Sequence, residues 1–405
     1  MIATLELIYQ RLLNSAAVNS PYNRYLYEQF DLTNRLTGLV GARGVGKTTL
    51  LLQYIKNHLL DIPKQTFYFS ADHIHFNEVT LYAFVENLYL TEGTKNFFID
   101  EIHKYKNWSQ EIKNLYDGFP DINLVFSGSS SLDLIKGTYD LSRRAKMFHL
   151  PGLSFREYVL FSTDQEILPV TFEQLLNNDH DLDATISNLP RIKGLFNDYL
   201  RQGYYPFITE NPLAYYEKIL NVIDKTIYED IANFYNLKTE NLQLFRKILN
   251  FLVSIPPGQI NVHNLGKNLN ADDKTAGNYL KILEETGLVN LIYPAEHGNQ
   301  GLRRPEKVFL NNTNLQYALE NHLANRVELG TIRELYFIQS IRNSGTEVFH
   351  TKNGDFIVDN VTFEIGGKNK TRTQVKNIEN AYLVKDDVFV SRKGVIPLIF
   401  FGFLY

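Results

Sequence analysis

The sequence predicts an α/β protein: first a parallel sheet flanked by helices, then a helical region and two smaller modules. Three observations predict it. Short apolar strands alternate with helical stretches between residues 35 and 127, the order that builds a parallel sheet. A glycine-rich loop, Gly41 to Thr48, stands between the first strand and the first long helix. From about Pro151 helical segments dominate through residue 240, broken at Pro190, Pro206 and Pro212.

Composition narrows the class. The chain of 405 residues has room for two to four domains at roughly 100–200 residues each. Hydrophobic residues make up 44% and charged residues 21%, which excludes a disordered, collagen-like or coiled-coil chain. The absence of cysteine excludes a disulfide scaffold, a zinc finger and cysteine catalysis. The apolar tail 395–405 is 11 residues long, about half of what a spanning helix needs. The uncharged run 248–266 contains Pro256-Pro257, so it cannot span either. The N-terminus carries Glu6 and no basic segment before an apolar core, unlike a signal peptide. A cytoplasmic protein without a membrane partner is expected. Residues 1–240 hold 22 Lys and Arg against 29 Asp and Glu, and residues 241–405 hold 19 against 16. If nucleic acid binds, the second half is favoured.

The elements follow in order. Residues 2–15 read as an amphipathic helix, with Leu5, Ile8, Leu12 and Leu13 near helical spacing. Strands are expected at 35–40, 66–70 (TFYFS), 96–100 (NFFID) and 123–127 (NLVFS), with helices at 50–60, 79–90 and 108–116 between them. Residues 241–310 read as three helices, 245–253, 262–269 and 275–286, then two strands, 289–293 and 307–310. A helix over 333–341 leads into short strands to the end of the chain.

The loop Gly41-Ala42-Arg43-Gly44-Val45-Gly46-Lys47-Thr48 matches G-x-x-x-x-G-K-[ST]. Its glycines let successive N–H groups point at phosphate oxygens, and the helix that follows adds its positive end. Lys47 would reach the β- and γ-phosphates, and the Thr48 hydroxyl would bind Mg²⁺. The third strand ends in Asp100-Glu101, two carboxylates at the carboxyl edge of the sheet. Asp100 would hold Mg²⁺ through water, and Glu101 would activate the attacking water. The fourth strand ends in Ser127-Gly128-Ser129-Ser130. A hydroxyl there would touch the γ-phosphate or cap a following helix at 132–135, with Ser127 ahead of Ser129. Arg143 and Arg144 follow, and one of them would serve as an arginine finger, Arg144 before Arg143.

With these residues in view, the chain resembles a family of prokaryotic ATPases, AAA-type and STAND-like. The family joins a P-loop module to a C-terminal domain of unknown function. GARGVGKTTLL, FFIDEIHKYKNWSQEIKNLYD, LVFSGSSSLDL and LSRRAKMFHLPGLSFREY carry the resemblance. So do YLRQGYYPFI, IYEDIANFYNL and NVHNLGKNLNADDKTAGNYLKILEETGLV. It covers nearly the whole chain and implies ATP binding, hydrolysis and a cytosolic location. The family usually has glycine before its arginine, where this chain has Arg143.

Residues 241–320 would form a winged helix. Its third helix carries Lys274 and Lys281 against Asp273, Glu284 and Glu285, so Arg303 and Arg304 on the wing are its best phosphate contacts. Residues 321–405 resemble a restriction-endonuclease-like fold, with Glu334, Asp355 and Glu364 in the acidic positions. The lysine position is Gly366, and Lys368 stands two residues late, a displacement of about 7 Å along a strand. A degenerate module that does not cut nucleic acid is expected.

These observations predict a P-loop NTPase sheet in 1–160, a helical region in 161–240, and the two modules beyond. ATP would lie against Gly41, Gly44, Val45, Gly46, Lys47, Thr48 and Thr49, with Mg²⁺ on Thr48 and Asp100. Glu101, Lys47, Ser127 and Arg144 would act on the transferring phosphoryl group, the arginine coming from a neighbouring copy in a homo-oligomer. DNA or a protein partner would meet residues 241–405. The alternative is an ATP-gated switch that does not hydrolyse.

Overall fold

β1 (Leu36–Val40) runs through the interior of the first sheet, and Leu36 and Leu39 are fully buried. The structure, a computed structural model, describes residues 2–60, 64–128, 141, 143–178, 181–235, 237–256, 262–295 and 304–405. These fall into two units, Met1–Gly152 and Leu153–Tyr405.

In the first unit, β2 (Thr66–Ser70), β3 (Asn96–Asp100), β4 (Asn123–Gly128) and β5 (Lys146–His149) join β1. The order is β2-β3-β4-β1-β5, with every pair parallel. Near-continuous apolar runs such as NFFID suit strands covered on both faces. The crossovers run through α2 (Lys47–His58), α3 (Leu81–Glu92) and α4 (Trp108–Gly118). α1 (Ile2–Leu13) packs against β2. Phe67, Phe69, Phe84, Phe97 and Phe126 fill the core. Because the strands are parallel, their carboxyl ends share one edge: Ser70 pairs in register with Asp100, and Val40 with Gly128. Ligands of open α/β sheets bind at that edge.

The second unit opens with a capping box. Ser154 accepts from Glu157 N at 3.1 Å, and Glu157 Oε2 accepts from Ser154 N at 2.9 Å. These bonds satisfy two orphan donors at the start of the buried helix Phe155–Thr163. Helices continue to Ile192–Gln202 and Tyr215–Lys225, followed by a wide turn at Thr226–Ile231. Thr239–Leu252, Val262–Leu269 and Asp273–Glu285 come next, then the antiparallel pair β6 (Val289–Ile292) and β7 (Lys307–Leu310). Arg304 lies 3.3 Å from Asp273, so its charge is partly matched within the chain. Arg303 lies outside the described residues.

A second sheet closes the chain, in the order β12-β11-β10-β9-β8. Its strands are β8 (Phe349–His350), β9 (Phe356–Val358), β10 (Val361–Gly366), β11 (Ala381–Lys385) and β12 (Val395–Pro397). The helix Leu329–Asn343 packs on β10. The apolar tail is core rather than anchor, since Leu398, Phe400, Phe401 and Phe403 are buried with Phe155, Tyr336 and Phe363. One expectation is corrected here. Lys368 is exposed, but a different lysine serves Glu364: Lys370 Nζ lies 2.5 Å from Glu364 Oε1. Among the described residues, no helix is long and apolar enough to cross a membrane.

Candidate nucleotide site

The carboxyl edge of the first sheet gathers most of the predicted residues. After β1 the chain turns through Gly44 at φ 85° and Gly46 at φ 96°. Only glycine adopts this left-handed backbone readily, so the loop can curl before α2 begins at Lys47. A side chain at Gly41 would place its Cβ 2.2 Å from Leu150 O. Val45 is fully buried, so its side chain packs inside the loop instead of facing a ligand. Lys47 is also buried, and its Nζ donates to Gly41 O at 2.9 Å and Ala42 O at 3.0 Å. The loop carbonyls thus hold the ammonium inside the curl, while Thr48 and Thr49 occupy the first turn of α2.

Asp100 is the hub. It is 3% exposed and accepts four hydrogen bonds. Thr48 Oγ1 donates to Oδ2 at 2.5 Å and Tyr68 OH to the same oxygen at 2.7 Å. Ser127 Oγ donates to Oδ1, and Glu101 N donates to Oδ1 at 3.0 Å. Loop, third strand and fourth strand are therefore joined through one carboxylate. Oxygen ligands of this kind suit Mg²⁺, which is commonly held by one or two carboxylates, waters and substrate phosphates. Glu101 has left-handed backbone angles, φ 52° and ψ 37°, uncommon for a residue with a side chain. Its Oε2 lies 3.5 Å from His103 Nε2.

Sequence reasoning missed Tyr68, His103 and His149. Tyr68 is the one tyrosine, flanked by Phe67 and Phe69, two residues before the carboxyl end of its strand, which is a legible signal in retrospect. Burial, with the Asp100 carboxylate next in weight, holds its phenol far above the ordinary value. His149 ends β5 in register with Val40. Burial and then the Lys47 ammonium hold its imidazole below the ordinary value.

The structure does not bring Arg144 to the loop. Its Nε lies 3.3 Å from Asp117 Oδ1 and its guanidinium 6.0 Å from the Tyr116 ring. Arg144 precedes the start of β5, where Lys146 pairs with Thr37. That is the amino edge of the sheet, roughly 13 Å of strand away from the loop. Arg143 is exposed. Ser129 and the helix expected at 132–135 lie outside the described residues.

Residues 33–159 match the family model of the AAA domain. The AAA-domain segment contains every element of the site above. Residues 193–326 match a second family model, a domain of unknown function (DUF8612). An uncharacterized protein of Methanocaldococcus jannaschii, MJ1637, is 31% identical over 282 residues, 67% of this chain and 59% of the relative. The chain thus spans about 59% of that relative's length. Similar solved structures include PCH-2 of C. elegans, at 13% identity, 68% of each chain and TM-score 0.27. AMPPCP-bound DnaA from Aquifex aeolicus is 15% identical, with 64% of this chain and 85% of that chain covered and TM-score 0.24. A structure from work on katanin self-assembly is 18% identical, covering 42% of this chain and 58% of that chain, with TM-score 0.26.

Proposed function

We propose that the chain binds ATP with Mg²⁺ and hydrolyses it at the edge where Lys47, Thr48, Asp100, Glu101 and Ser127 meet. The observation that carries this is the Asp100 carboxylate, shared by Thr48 at the helix start and Ser127 on the neighbouring strand. The match of residues 33–159 to the AAA domain supports it.

Thr48 Oγ1 and Asp100 would hold Mg²⁺, which supplies charge neutralisation at the phosphate oxygens. The curled backbone from Gly41 to Gly46 would cradle the phosphates through its N–H groups. Lys47 would leave its loop carbonyls for the β- and γ-oxygens and neutralise the charge that develops there. Glu101 would take a proton from the attacking water. The new bond joins water oxygen to the γ-phosphorus, and the bond to the bridging β–γ oxygen breaks. Ser127 and Tyr68 would keep Asp100 oriented. The left-handed backbone of Glu101, at the point where the strand ends, supports this role.

No arginine of the described residues 143 and 144 approaches this edge, so Arg144 would act on the site of a neighbouring copy. Residues 241–320 would serve as a winged helix and the last sheet as a restriction-endonuclease-like module. Either surface would meet DNA or a protein partner in the cytoplasm. A second reading is an ATP-gated switch without turnover, and the far position of Arg144 favours it. Phosphate release from ATP, measured with and without DNA alongside the mass of the particle in solution, separates the two. Sustained Mg²⁺-dependent turnover that vanishes with Lys47→Ala supports the hydrolase. Tight ATP binding with no turnover in any assembly state supports the switch.

A further inference from the structure

The second unit holds a cavity of about 250 Å³ whose lining shares no residue with the nucleotide edge or the last sheet. Two helices end at it and a third begins. Val253 and Ser254 line it just past the end of the helix Thr239–Leu252. The helix Thr313–His322 supplies the buried wall through Gln316 and Glu320, four residues apart and so on one helix face. The helix Leu329–Asn343 starts beside it, with Glu328 as N-cap residue.

A tight helix end turns the chain back over the cavity. Ala324 takes a left-handed backbone, φ 53°. Asn325 N then donates to Glu320 O at 2.9 Å, and Ala324 N to Asn321 O at 3.2 Å. This pair of bonds closes the helix in the Schellman manner. It leaves Asn325, Arg326 and Glu328 lining the cavity as exposed residues.

Glu320 is the unusual member. It is 3% exposed. Its Oε1 accepts from Gln316 Nε2 at 2.6 Å, while Oε2 takes no hydrogen bond among the described residues. A buried carboxylate oxygen left in this state costs free energy until a donor reaches it. Burial pushes the carboxyl above its ordinary range against the Gln316 bond, and the Glu328 charge pushes the same way. Arg326, the one cation of the described lining, does not bond Oε2.

Charge and size then select the ligand. Glu320 and Glu328 bring two negative charges and Arg326 one positive charge, so the lining is negative by one. The carbonyl ends of two helices add partial negative charge, and Glu328 stands at the amino end of the third. A cation that can donate hydrogen bonds is therefore favoured. Among the described residues, no three His, Cys, Asp or Glu side chains gather closely enough to hold a metal ion, which favours an organic cation. The volume falls below the range of roughly 300–1,000 Å³ typical of drug-sized ligands, so the guest is small. Val253 gives an aliphatic stem an apolar wall beside the charged end.

We propose that this cavity binds a small aliphatic primary amine, its ammonium donating to Glu320 Oε2 with Glu328 as the second negative charge. The proposal stands apart from the ATPase reading.

The test uses the full chain without nucleotide. Titration calorimetry follows 1,5-diaminopentane, L-lysine and, as the uncharged control, 1,5-pentanediol. One amine per chain is expected, with no binding of the diol. Glu320→Gln should lower the amine affinity roughly tenfold or more, the size of a hydrogen bond to a charged group. Glu328→Gln, at an exposed position, should weaken it several-fold and decides the matter if the buried change fails to fold. The two amines separate the sources of the ammonium. A preference for lysine that is lost in Arg326→Gln supports a basic amino acid, with its carboxylate on Arg326. Equal or tighter binding of the diamine supports a guest without a carboxylate. Amines that bind no better than the diol overturn the site, as does an affinity undiminished in whichever of Glu320→Gln and Glu328→Gln fold.

Discussion

Four donors meet at one carboxylate in Asp100, and that convergence makes the site sensitive to single atoms. Lys47→Ala removes the buried ammonium that would move from Gly41 O and Ala42 O to the phosphates. A hydrogen bond to a charged group contributes about 1.5–3 kcal/mol, so ATP affinity should fall roughly 10- to 100-fold while the fold survives. Titration of a fluorescent ATP analogue checks this, and an affinity equal to the parent's rejects the assignment. Glu101→Gln keeps the shape but loses the proton acceptor. ATP should still bind, and turnover should drop by roughly 10²–10⁴. A parental rate in that variant removes Glu101 as the base. Tyr68→Phe deletes one of the donors to Asp100 Oδ2, leaving Thr48 on the same oxygen. A modest loss of Mg²⁺-dependent turnover is expected, seen as a raised Mg²⁺ requirement with little change in the melting temperature.

The elements show how local rules and tertiary demands share the work. β3 and β4 form where apolar runs end in polar residues, because both faces of a parallel sheet are covered. At the entry of the second unit, Ser154 and Glu157 exchange bonds at a helix start whose residues are buried. Removing the hydroxyl in Ser154→Ala leaves Glu157 N without its partner. The expected cost is about 1–2 kcal/mol, read as a lower urea midpoint. An unchanged midpoint would mean that water replaces the cap. Apolar spacing places the helices of residues 239–285, but it does not say what they touch. Asp273 is bonded by His263 and lies near Arg304, so an arginine proposed for phosphate is already engaged with its own chain.

Across the whole molecule, the separation of Arg144 from the loop turns an ambiguity into a testable geometry. An arginine at the amino edge of the sheet can complete only the site of another copy. The ATPase rate per chain should therefore rise with protein concentration, and Arg144→Ala should lower it by about 10³-fold or more with ATP affinity kept. A flat rate per chain from dilute to concentrated protein, with a monomeric particle, excludes action between copies.

The loop from Gly41 to Thr48 and the pair Asp100-Glu101 were legible because their chemistry depends on spacing within a few residues. A glycine turn before a helix and an acidic strand end are local constraints, and local constraints are written in consecutive residues. The parallel strands were legible for the same reason, through runs of apolar side chains. The contribution of Tyr68, the distance of Arg144 from the loop and the pairing of Lys370 with Glu364 were not. Each joins residues brought together by packing, where a side chain's reach and not its place in the chain decides what it touches. A long flexible lysine can serve a carboxylate from several positions, so its absence at one of them says little. Sequence by itself determined the glycine loop before a helix, the acidic strand end and the α/β class. Only the tertiary structure decided which hydroxyls hold Asp100 and which lysine reaches Glu364, because those contacts are set by burial and strand register.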